Sequence, residues 1–112
     1  MPQGQEYVAE ALVLCQKMAE QLSTLEGLGK AKERLVAVAD LLQAMEGRFF
    51  LRSKLCLPFA RRCKEEAERV ETALAAVSAG AAPASVEEAL RALELAAHTL
   101  DERSQMQGMA IT

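Results

Sequence analysis

The sequence predicts an all-α fold, an antiparallel four-helix up-down bundle, and three observations carry that prediction. Apolar residues recur at alternating spacings of three and four through most of the chain, which lines them along one face of a helix. The core must come mainly from Leu, Val, Ala and Met, because Trp is absent and aromatic residues make up only 4% of the chain. Glycine- and proline-containing breaks then divide the 112 residues into segments of about 20, which suits antiparallel packing through short connections. A three-helix bundle with a further helix docked on it is the alternative, and the narrow stripes also allow a coiled-coil dimer. At this length folding removes roughly two thirds of the surface of the unfolded chain, enough for one independent core. Residues 1–104 are assigned to a single helical domain, and residues 105–112, which carry no strong pattern, to a flexible C-terminal tail.

The first stripe is Val8, Ala11, Cys15, Met18, Leu22 and Leu25, with Glu6, Glu10, Lys17 and Glu20 lying off it. The two glycines of EGLG (26–29) weaken a helix and supply a C-terminal cap, so a break is expected there. A second stripe follows: Leu35, Val38, Leu42, Met45 and Phe49. Its end is open between Gly47 and about Cys56, because an interior glycine costs a helix only roughly 1 kcal/mol. Pro58 forces a change in either case and suits the first turn of a third helix, where a missing N–H matters least. The third stripe is Phe59, Cys63, Ala67, Val70, Leu74 and Val77. SAGAAPAS (78–85) reads as a linker, and Ser85 with Glu88 as a capping box opening the fourth helix. That helix carries Val86, Leu90, Leu93, Ala97 and Leu100. Leu14, Leu41, Phe50, Leu51 and Leu95 stand beside these stripes, so some are expected at the surface, where they would favour self-association or a permanent partner.

Charge is distributed far less evenly than hydrophobicity. GRFFLRSKLCLPFARRCK (47–64) holds six of the thirteen Lys and Arg, all three Phe and two of the three Cys, with no Asp or Glu. The rest of the chain sets seven basic residues against sixteen acidic ones, and the formal net charge is −3. Arg61–Glu65 and Arg62–Glu66 have ion-pair spacing, in the weaker orientation with the acid C-terminal to the base.

No catalytic residue is assigned. The sequence has no glycine-rich phosphate loop, nucleophile elbow or paired-cysteine zinc motif, so neither cofactor nor metal is expected. His98 is the only histidine, and its i,i+4 partner Glu94 is read as a surface hydrogen bond or ion pair. Cys63 sits between Arg62 and Lys64, charges that favour a thiolate, but its place on the third stripe makes it an inert core residue. The stretch Ala97-His98-Thr99-Leu100 resembles the start of the phosphoacceptor motif of histidine phosphotransfer domains, which are four-helix bundles. That resemblance implies a phosphoaccepting His98. The chain departs from the motif immediately afterwards, with Asp101-Glu102-Arg103-Ser104 where the family typically has Lys-Gly-Ser or Lys-Gly-Ala.

Binding is the reading that remains. Arg48, Phe50, Arg52, Lys54, Arg61 and Arg62 are assigned to a basic and aromatic corner that docks a protein partner, either an acidic or amphipathic helix or a second copy of the chain. The acidic remainder of the molecule repels a long polyanion and no second helix extends a basic footprint, so nucleic acid is not expected. An anionic membrane surface is the alternative partner, through the same charges and the Phe49–Phe50 pair. Three cysteines without framework spacing, no apolar run of spanning length and no secretory pattern in MPQGQEYVAE point to a cytoplasmic adaptor or assembly subunit.

Overall fold

The structure, a computed structural model, describes residues 3–22 and 29–111. Among them are four helices and no strand: α1 (Gln3–Leu22), α2 (Gly29–Met45), α3 (Leu57–Ser78) and α4 (Ala84–Ile111), with a 3-10 turn at Phe49–Arg52 between α2 and α3. The described residues of the stripes read from the sequence face inward, except Phe49 at the end of the second. Val8, Ala11, Cys15, Met18 and Leu22 of α1 are buried against Leu35, Val38, Leu42 and Met45 of α2 and against Cys63, Ala67, Val70 and Leu74 of α3. All five residues of the fourth stripe are buried as well. Leu25 and residues 26–28 of the expected break lie outside the described residues.

The chain runs up, down, up, down, but the second connection crosses the bundle diagonally. Helix α1 lies beside α2 and α3, and α4 lies beside α3 and α2. Neighbours α1 and α3 are therefore parallel, which two ion pairs at the same sequence offset make visible: Glu10–Lys64 at 3.1 Å and Lys17–Glu71 at 3.5 Å. Helices α2 and α4 are also parallel, clamped by Arg34. Its Nε donates to Glu94 Oε2 at 3.1 Å and its NH1 to Glu87 Oε2 at 2.6 Å. These carboxylates hold the guanidinium pKa above its ordinary value, chiefly through the hydrogen bonding that Arg34 donates to Glu94. The fold is thus two helical hairpins, α1–α2 and α3–α4, laid side by side.

Three local expectations are corrected. Helix α2 stops at Met45, and Phe49 leaves the stripe it was assigned to: it is 67% exposed, while Leu51 two residues later is fully buried. The reason is the break before it: Arg48 is extended, at φ −71° and ψ 131°, so the α-helical register ends before Phe49 is reached. Ser85 does not form the capping box with Glu88. Helix α4 begins one residue earlier, and the Ser85 hydroxyl donates to the Ala82 carbonyl at 3.0 Å. Residues 105–111, placed in the tail by their lack of pattern, continue α4.

The third helix ends as glycine permits. Ala81 N–H donates to Ala76 O at 2.9 Å and Gly80 N–H to Val77 O at 3.0 Å, the pair of bonds of a Schellman motif, with Gly80 at φ 107°. No helix among the described residues is long and apolar enough to cross a membrane.

Candidate interaction surface

The basic stretch is the diagonal crossover together with the first two turns of α3. Residues 46–56 must return the chain across one end of the bundle, and they do so by plugging it. Leu51 and Cys56 are fully buried, and Phe50 packs against the core. The plug is seated on α1 at Gly4, where an added Cβ would lie 2.0 Å from the Leu51 carbonyl oxygen. Leu57 opens α3 and Pro58 occupies its first turn, with Ala60 N–H donating to Cys56 O at 2.9 Å.

This geometry separates the six residues assigned to one corner. Arg48 is half-buried and structural: its NH1 donates to Asp101 Oδ1 at 2.6 Å and to Ser104 Oγ at 2.9 Å, tying the crossover to α4. Arg61 points along α1, with its guanidinium carbon 5.8 Å from the Tyr7 ring centroid. Lys64 approaches the same ring at 5.7 Å while pairing with Glu10, whose hydrogen bond raises the ammonium pKa. Arg62 lies on the opposite side, in a groove between α3 and α4. Only Phe50, Arg52 and Lys54 remain together on the crossover. Arg52 stands 5.9 Å from the centroid of Phe49, whose ring meets Phe50 edge to face at 5.7 Å. Leu55, 69% exposed, follows on the same crossover, its N–H held by the Ser53 hydroxyl at 3.1 Å. Leu55 lies on no period in the sequence, and Phe49 stands there on a core stripe and, for the membrane alternative alone, at the surface.

The i,i+4 pairs expected of α3 do not define this surface. Arg61 turns to Tyr7, and Glu66 is met instead by Arg69 at 3.5 Å. Of the five apolar residues set beside the stripes, Leu95 is 69% exposed, Leu51 is fully buried, and Leu14, Leu41 and Phe50 are partly buried against the core. Glu94 is taken by Arg34 rather than by His98, which is exposed on α4. Arginine offers two donors that fit a carboxylate side by side, a geometry an imidazole cannot match.

Burial sets the cysteine chemistry. It pushes the thiols of Cys15 and Cys63 up to about 12 and raises that of Cys56, so thiolate is scarce at neutral pH despite the charges flanking Cys63. No disulfide joins the three. Among the described residues no group of three or more His, Cys, Asp or Glu could hold a metal ion. Comparison with family models, with curated proteins and with solved structures finds no match to this chain.

Proposed function

We propose that this chain is a non-enzymatic protein-interaction module, an adaptor or assembly subunit, that docks an acidic or amphipathic helical partner on the crossover patch of Phe49, Phe50, Arg52, Lys54 and Leu55. One observation carries the reading. Two large apolar side chains, each about two-thirds exposed, sit within a few residues of each other beside exposed Arg52 and Lys54, in a connection anchored by buried Leu51. Exposed aromatic and arginine residues on a rigid support are the composition of an interaction hot spot, because they bury large area at little entropic cost. The basic residues select for acid in the partner, and the acidic remainder of the chain confines such a partner to the basic patch.

The experiment is affinity capture from a cell extract, comparing the native chain with a Phe49→Ala, Arg52→Glu, Lys54→Glu variant of unchanged helical content. A protein bound directly by the first and released by the second supports the reading. Identical capture by both overturns it. Loss of binding to phosphatidylserine vesicles, with protein capture unchanged, replaces the protein partner by an anionic membrane surface.

A further inference from the structure

The outer groove between α3 and α4 holds a feature that the crossover patch does not explain. It is about 320 Å³ in volume and lined by Phe59, Arg62 and Glu66 from α3 and by Ala92, Leu95, Ala96 and Thr99 from α4, with Pro58 at one end. The wall is mostly apolar, and Leu95 stands 69% exposed in it. Glu66 is only 4% exposed, and among the described residues its Oε2 has no hydrogen-bond partner. Arg69 comes no nearer than 3.5 Å, from a side chain that is itself largely in solvent. A carboxylate in such a place has lost most of its hydration and gained little in return.

We infer that this groove binds an amphipathic helix of another protein that places a single lysine or arginine over Glu66, between apolar residues that cover Leu95 and Phe59. Charge selects the occupant: a carboxylate whose buried Oε2 lacks a hydrogen bond is completed by a cationic donor, and an acidic or purely apolar helix leaves it as it is. Shape selects the helix. Residues 59, 62 and 66 and residues 92, 95, 96 and 99 are spaced as ridges along two antiparallel helices, and Ala92 and Ala96 leave the hollow between them. The α1–α2 hairpin already covers the other face of α3–α4, so a helix in this groove would extend the same stack by one layer. Arg103, 5.1 Å from the centroid of Phe59, marks that end of the groove as basic, which orients the acidic end of the incoming helix toward it. This surface is distinct from the crossover patch, and its partner chemistry is the reverse.

The test uses the full chain and a panel of stapled helical peptides of about 18 residues, long enough to stay helical, each with leucines flanking one central lysine. Each has a twin with methionine in place of that lysine. Backbone amide shifts locate binding, and titration gives its strength. The lysine peptides are expected to shift residues 59–66 and 92–99 and to bind at least about tenfold tighter than their twins. Glu66→Gln is expected to erase that preference while holding or raising the melting temperature, because it removes a buried charge. Leu95→Glu, at an exposed position that cannot disturb the core, is expected to abolish binding by both peptides. Equal affinity of the twins, no shift in the groove at millimolar peptide, or a lysine preference that survives Glu66→Gln overturns the proposal. So does concentration-dependent dimerisation lost on Leu95→Glu, which makes a second copy the occupant.

Discussion

Arg48 and Arg52 stand four residues apart in the same basic stretch and do different work. Arg48 is half-buried, and its bonds to Asp101 and Ser104 hold the crossover on α4. Arg52 lies over an exposed ring and holds nothing in place. Arg48→Glu is expected to cost about 2 kcal/mol in urea unfolding, because it sets a second acid beside the largely buried Asp101 and breaks a charge-assisted bond. Arg52→Glu is expected to stay within about 0.5 kcal/mol, as surface substitutions do. Equal losses in the two variants would mean that the division between anchor and docking residue is wrong. The cysteines give a second test at this scale. Below pH 9 the thiols are protonated in the folded and unfolded chains alike. Above it the unfolded chain releases protons that buried Cys15 and Cys63 retain up to about 12, so stability falls as pH rises from 9 toward 12. The expected slope is about 1.4 kcal/mol per pH unit for each thiol. Replacing both by Ala should flatten the curve measured by denaturant unfolding across that window. An unchanged slope would assign the loss to other groups.

At the scale of the element, the crossover depends on a contact made without a side chain. Gly4 lets the first turn of α1 meet the Leu51 carbonyl, and a methyl group there would overlap backbone rather than a yielding side chain. Gly4→Ala is therefore expected to destabilise by about 1–3 kcal/mol despite its better helix propensity, with the loss read by thermal unfolding. Gly80→Ala is expected to cost about 1–2 kcal/mol for a different reason, the positive φ of the α3 cap. A stability gain at either site would contradict the geometry assigned to it. The four helices were legible because periodicity records burial directly: Val8 to Leu22 and Val86 to Leu100 need only a 3.6-residue period to be found. Phe49 was not legible, since whether the period continues past Gly47 depends on where the chain must go next. The diagonal path of residues 46–56 is a tertiary fact. Clustering of charge singled out 47–64, but it could not show that Arg48, Arg61 and Arg62 face α4, Tyr7 and the α3–α4 groove respectively. Glu66 was read as half of an exposed ion pair because its spacing from Arg62 is right. Its burial follows from the approach of α4, which no local pattern records.

For the molecule as a whole, two hairpins side by side produce an elongated body, 49 × 21 × 19 Å, with the crossover patch at one end. An end patch leaves the long sides open, so the two proposed interactions, at the tip and along the flank, do not overlap. The proposed tip interaction is electrostatic in part, through Arg52 and Lys54, and its affinity is expected to fall as salt is raised from 0.05 to about 0.5 M, as the Debye length shrinks. The most direct test of the account is the affinity of the captured partner for three proteins: the native chain, the Phe49→Ala, Arg52→Glu, Lys54→Glu variant and an Arg61→Glu, Arg62→Glu variant. The account predicts a loss of at least about a hundredfold for the first variant and less than about threefold for the second, since a few hot-spot residues carry most of the binding energy. Equal losses, or a larger one from Arg61 and Arg62, would contradict it and restore a single undivided basic corner.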